Sequence, residues 1–112
     1  MKRVYSSPEA LDVTRLKIAV VTARFNRVFT DLLMAGATAA WQRHGGDVQA
    51  LFSCEVPGAF ELPLACNSLA LTGKYDAIVA LGCVIRGDTP HFEYVSSEAA
   101  RGIMEVGLKS NI

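Results

Sequence analysis

Ala77–Leu81 (AIVAL), followed at once by Gly82–Val95 (GCVIRGDTPHFEYV), is the stretch that decides the fold. The first five residues form a continuous apolar run with the length and character of a buried strand. Beyond the loop, apolar residues recur at Phe92, Val95, Ala99, Ile103 and Val106. Intervals of three and four mark one face of a helix. A strand therefore crosses into a helix through a polar loop. Gly82 and Gly87 permit backbone shapes that other residues resist. Thr89 reads as the N-cap and Pro90 as the first helical residue, where a missing N–H costs nothing. The free amides and positive dipole end of such a helix suit a phosphate or another anion. His91 follows directly, so an imidazole, a group that titrates near neutral pH, stands beside that anion site.

Upstream, Leu16–Thr22 (LKIAVVT) reads as the first strand, with Ile18–Val21 apolar enough to be covered on both faces. Ala23-Arg24-Phe25-Asn26 follows at its carboxyl end. Asn26 can cap a helix whose apolar face is Phe29, Leu33, Ala37, Ala40 and Trp41, with His44 in the last turn and Gly45-Gly46 as its stop. An aromatic at Phe25 can stack on a flat ligand or plug the core. Val48–Cys54 (VQALFSC) alternates as a second, less deeply buried strand. Pro57-Gly58 is turn chemistry, a helix starts near Phe60 with Pro63 in its first turn, and Gly73 stops it. Glu61 at that helix start either complements the dipole or accepts hydrogen bonds from sugar hydroxyls. Tyr75–Leu81 is the third strand, and the last helix runs from Phe92 to Gly107, where Arg101 and Glu105 lie four apart on a solvated face.

The order β-α-β-α-β-α predicts an α/β domain over residues 16–112, with a parallel sheet, right-handed crossovers and helices on both faces. Residues 1–15 read as a polar arm or edge strand, with Val4-Tyr5 its only apolar pair. Ligands bind such sheets beyond the carboxyl ends of the strands. The three unusual loops, at Arg24–Asn26, Val56–Glu61 and Val84–His91, all fall there.

A chain of 112 residues has room for one domain, and 51% hydrophobic residues supply a core. The formal net charge is zero and no Lys/Arg cluster occurs, which argues against a nucleic-acid surface. No apolar run approaches the length of a membrane span. Cys54, Cys66 and Cys83 are too widely spaced for a CxxC pair. An odd count, with no secretory signal in MKRVYSSPEA, predicts reduced thiols in a cytoplasmic protein.

ARFN at 23–26, VPGAFELP at 56–63 and GCVIRGDTPHFEYV at 82–95 together resemble the lumazine synthase family of riboflavin biosynthesis. The likeness runs from Leu16 onward. It implies a three-layer α/β/α, flavodoxin-like fold and a transferase. The reaction would condense 5-amino-6-(D-ribitylamino)uracil with 3,4-dihydroxy-2-butanone 4-phosphate to 6,7-dimethyl-8-ribityllumazine, with no metal and no organic cofactor. The resemblance sets Phe25 against the pyrimidine. It puts Ala59, Phe60 and Glu61 at the ribityl-bearing substrate, and the backbone of Val84 and Ile85 at the uracil edge. Gly87, Asp88 and Thr89 would cradle the phosphate, and His91 would transfer protons. Asp88 stands where the family often has Glu. The family pattern continues into a fourth strand and two more helices, which supply a phosphate-gripping Arg and an aromatic segment for a neighbour's site. It also implies homopentamers, some assembled into shells. Two other readings are a binder of ribityl-pyrimidines or flavins without turnover, and a shell-forming subunit or fragment without an active site, against which the intact His91, Glu61 and Phe25 argue.

Overall fold

The computed structural model describes residues 11–112. The arm expected over residues 1–15, with its Val4-Tyr5 pair, therefore lies mostly outside the described residues; residues 11–15 carry no strand. Three strands, β1 (Ile18–Ala23), β2 (Phe52–Val56) and β3 (Ala77–Leu81), alternate with three helices, α1 (Arg27–Arg43), α2 (Leu62–Leu71) and α3 (His91–Ser110). All pairing is parallel, in the order β2-β1-β3. Ala19 to Ala23 register with Phe52 to Val56, and Ile18 to Thr22 with Ala77 to Leu81.

The central strand is the driest part of the described chain: Ala19, Val20, Val21 and Ala23 are all buried. Alternation along β1 divides the core between two faces. Val21 and Ala23 join Ala59, Leu62, Cys66, Ala99 and Val106, the cluster beneath α2 and α3. On the other face the Thr22 hydroxyl reaches the Met34 sulfur of α1 at 3.7 Å, and Thr30 is fully buried. The helices thus cover both faces, as the alternating pattern requires.

Several boundaries move, each for a local reason. The strand expected over Val48–Cys54 starts only at Phe52, because Val48–Ala50 forms a 3₁₀ turn. The Asp47 carboxylate accepts the Gln49 N–H at 2.9 Å and holds that turn. Short polar side chains compete with strand pairing in this way. The strand expected from Tyr75 begins at Ala77, since Asp76 is engaged with Lys17: its N–H donates to the Lys17 carbonyl, and its carboxylate accepts the Lys17 N–H. Ala77–Leu81 is half-buried throughout rather than fully buried, as an edge of the described sheet must be.

Helix α1 departs from the expected face in its first turns, whereas Ala37, Ala40 and Trp41 turn inward as expected. Phe29 and Leu33 are exposed, while Thr30, Met34, Ala37, Thr38 and Trp41 face inward. Thr30 is fully buried and Met34 meets the Thr22 hydroxyl of β1 in the place expected for the larger apolar residues. Asn26 precedes α1 in the left-handed region (φ 60) and makes no side-chain cap. Its carbonyl instead accepts the N–H groups of Phe29 and Thr30. Helix α2 is preceded by a 3₁₀ turn at Ala59–Glu61, so its α geometry starts after Phe60, at Leu62. Helix α3 spans more than expected; Pro90 takes the cap position that Thr89 was expected to hold. Its inward face does match the expectation, with Ala99 and Val106 buried and Val95 and Ile103 packed on the core. Its outer face carries Arg101 between Glu98 (2.6 Å) and Glu105 (3.4 Å).

Trp41 closes the far end of α1. Its indole N–H donates to the Asp47 carbonyl at 2.8 Å, and its ring lies flat on Gly46. A β-carbon on Gly46 would fall 2.3 Å from the ring. Overpacking of this kind costs about 1–3 kcal/mol. Gly46→Ala is expected to lower the urea midpoint accordingly; an unchanged midpoint would show that the indole can swing aside. Burial pushes the Cys54 and Cys66 thiols up, and Cys54 adds to the effect on Cys66. Since the thiolate is the reactive form, Cys66 is expected to resist iodoacetamide at neutral pH until urea unfolds the protein. Peptide masses would report this, and native labelling at a free thiol's rate would take Cys66 out of the core.

Candidate active site

The loops after β1, β2 and β3 leave the sheet at one end because the strands are parallel. Pairing continues past the formal strand ends. The Arg24 N–H donates to the Val56 carbonyl at 2.8 Å, and the Phe25 N–H to the Pro57 carbonyl at 3.0 Å. The first two loops therefore depart side by side. The third joins them at Gly82, where a β-carbon would lie 2.9 Å from Leu62 Cδ1 and 3.5 and 3.6 Å from the β-carbons of Ala59 and Ala23. A backbone without a side chain is what lets the three loops close on one another.

Between them lies a cleft of about 400 Å³. This is the size range of small-molecule sites, which are typically apolar with a few placed polar groups. Phe25 comes from the first loop and Pro57 to Glu61 from the second. Cys83, Val84 and Ile85 come from the third, and His91, Phe92 and Val95 from the first turns of α3. Phe25 is 52% exposed and Phe60 56%. Neither plugs the core; both present ring surface at the cleft, the arrangement that stacking on a flat ligand requires.

Glu61 holds the second loop in shape. Its Oε1 accepts the Gly58 N–H at 2.8 Å, while its own N–H donates to the Gly58 carbonyl at 3.2 Å. The reciprocal pair resembles a capping box and satisfies two amides at the helix entry. A carboxylate has further lone pairs beyond that one bond, so Glu61 retains acceptor capacity for a ligand hydroxyl. Glu61 also stands at the N-terminal end of α2, as the helix-dipole reading expects. Beside it, Arg27 at the start of α1 forms a two-point pair with Glu55, at 3.2 and 3.5 Å, which ties α1 to the end of β2. Both partners are about half exposed, so the pair serves orientation more than stability.

On the opposite side, the Arg86 guanidinium sits 5.5 Å from the Phe92 ring centroid. This cation–π contact fastens the third loop to the first turn of α3. His91 is exposed at the start of that helix, its N–H reaching the Thr89 hydroxyl at 3.4 Å. Of the residues singled out in the sequence, Phe25, Ala59, Phe60, Glu61, Val84, Ile85 and His91 come together at the cleft. Gly87, Asp88 and Thr89 do not line it; they form an exposed arch between Ile85 and His91. All three precede α3, whose cap position is held by Pro90. Pro57, Gly58, Cys83, Phe92 and Val95 line the cleft without having been singled out. Their sequence signals, a turn, a thiol and an apolar helix face, are those of ordinary structural residues. Among the described residues, no cluster of His, Cys, Asp and Glu is placed to hold a metal ion. None of the helices described is long and apolar enough to cross a membrane.

The family model of 6,7-dimethyl-8-ribityllumazine synthase matches residues 15–112. Proteins of that name resemble the chain closely. One from Desulfovibrio desulfuricans is 47% identical over 112 residues, covering 100% of this chain and 72% of its own. One from Aliarcobacter butzleri is 54% identical over 93 residues, covering 83% of this chain and 60% of its own. A third, from Helicobacter pylori, is 53% identical over 93 residues, with the same 83% and 60% coverage. The chain thus spans between 60% and 72% of the length of these relatives. With the match running from residue 15 through all three cleft-forming loops, the chain belongs to the 6,7-dimethyl-8-ribityllumazine synthase family.

Proposed function

We propose that the protein condenses 5-amino-6-(D-ribitylamino)uracil with 3,4-dihydroxy-2-butanone 4-phosphate, releasing phosphate and water and forming 6,7-dimethyl-8-ribityllumazine. The observation that carries this is the convergence of Phe25, Glu61 and His91, from two loops and the start of α3, on one apolar cleft. Phe25 stacks on the pyrimidine. The Ala59–Glu61 turn holds the ribityl chain, with Phe60 as an apolar wall and Glu61 as the hydroxyl acceptor. The backbone at Val84 and Ile85 reads the uracil edge. Gly87, Asp88 and Thr89 meet the phosphate at the exposed rim, where the N–H groups at the start of α3 favour an anion. His91 moves protons during imine formation, phosphate elimination and ring closure. Orientation of two substrates in a single cleft supplies much of the remaining acceleration. The protein works in the cytoplasm as a homo-oligomer built from pentamers, with each site shared between neighbours. Exposed apolar groups around the cleft, Phe25, Phe60 and Ile85, are consistent with a covering subunit.

Mixing the two substrates with the protein and following lumazine absorbance tests the reaction. Binding of the ribityl-pyrimidine without product would reduce the protein to a binder. Glu61→Gln keeps an oxygen for the Gly58 N–H but loses the charge. It is expected to weaken ribityl-pyrimidine binding by about 1–3 kcal/mol, the cost of a lost charged acceptor. Calorimetry on folded protein would measure this, and unchanged affinity would confine Glu61 to shaping its loop. His91→Ala is expected to slow turnover toward the low end of the roughly 10²–10⁴-fold typical of a general acid–base, with little change in binding. Weakened binding at an unchanged rate would make His91 an orienting group only.

A further inference from the structure

Helices α2 and α3 carry opposite walls of the cleft. The Ala59–Glu61 turn leads into α2, and His91, Phe92 and Val95 open α3. Further along, α3 meets the first turn of α2 at Gly102. A β-carbon built on Gly102 would fall 2.7 Å from both Cβ and Cγ of Pro63. Most close contacts of this kind relax when a flexible side chain turns away. Pro63 cannot do so, because its ring is closed on its own backbone and sits in the first turn of α2. The only relief is movement of one helix against the other. Gly is among the poorest helix formers, and Gly102 stands in the interior of the 20-residue α3. Its place there is explained by this close approach, flanked by the buried Ala99 and Val106 of the same inward face.

We propose that Gly102 and Pro63 are positioning residues for the reaction proposed above. Their direct backbone-to-ring contact sets the spacing between the Glu61 wall and the His91 wall. A helix moves as a rod, so a displacement forced at Gly102 reaches the first turn of α3, where His91 stands. The inference rests on the proposed lumazine-forming reaction for its catalytic part and on packing alone for its geometric part.

The test compares the full chain with Gly102→Ala, Pro63→Gly and the double variant, each as folded protein isolated by gel filtration. In crystal structures, Gly102→Ala is expected to widen the Ala59–Val95 separation by about an ångström, a scale at which misplacement can cost on the order of 10²-fold in rate. The kcat per folded molecule is expected to fall by that order. A merely structural role would lower the folded yield or the melting temperature and leave kcat per folded molecule unchanged. The double variant, with room for the new methyl group, is expected to recover the parent spacing and most of the rate. An unchanged spacing in Gly102→Ala, or a double variant no better than Gly102→Ala, overturns the proposal. Should Gly102→Ala fail to fold, the double variant must still fold and turn over, and its failure would overturn the proposal equally. Absence of lumazine formation by the unaltered protein would instead overturn the reaction, leaving the spacing to be decided by the crystal structures.

Discussion

Parallel pairing of β1 with strands on both of its sides is the constraint on which everything else depends. A strand held in this way has no free edge and needs apolar surface on both faces, and Ala19 to Val21 meet that need with nothing larger than Val. Parallel register also aims every strand's carboxyl end in one direction. The hydrogen bonds from Arg24 and Phe25 to Val56 and Pro57 carry the register beyond the sheet and into the loops. The cleft is therefore a consequence of strand polarity before any side chain chooses a ligand.

The residues at the cleft meet two demands at once. Glu61 closes its own turn through Gly58 and still has acceptor capacity in a half-open position. Asn26 adopts a left-handed conformation that Asn tolerates better than most residues, which turns the chain from Phe25 directly into α1. Arg86 spends its charge on the Phe92 ring and so stiffens the loop beside His91. Groups that could otherwise float in solvent are held by contacts with their own neighbours. Such preorganisation places much of the ordering cost in folding instead of in binding.

The two helical layers do different work. Helix α1 covers its sheet face through Thr30 and Met34 and leaves Val28 and Leu32 exposed. Helices α2 and α3 pack closely on the other face, and the cleft takes residues from the turn that leads into α2 and from the start of α3. The close-packed side of the sheet is therefore also the side from which α3 and the turn before α2 reach the cleft. Rigid packing there keeps residues that are distant in sequence, such as Glu61 and His91, in a fixed relation.

Read alone, the sequence determined the alternating α/β order, the parallel sheet, the three loops at its carboxyl end and most of the cleft. It could do so because strand and helix periodicities are local, and because parallel crossovers leave few topologies open. The motifs at 23–26, 56–63 and 82–95 also carried the family likeness. What only the tertiary structure decided was contact-dependent. The 3₁₀ turn at Val48–Ala50 depends on the Asp47 side chain outcompeting strand pairing. The inward face of α1's first turns, with Thr30 and Met34 in place of Phe29 and Leu33, depends on which sheet residues lie beneath it, which no helical periodicity records. Gly87, Asp88 and Thr89 lie exposed outside the cleft wall, a path of the loop that no local pattern records. Pro57, Gly58, Cys83, Phe92 and Val95 joined it because packing, not residue type, brought them there. The meeting of Gly102 with Pro63 joins residues 39 positions apart, and only the packing of α3 on α2 places them together.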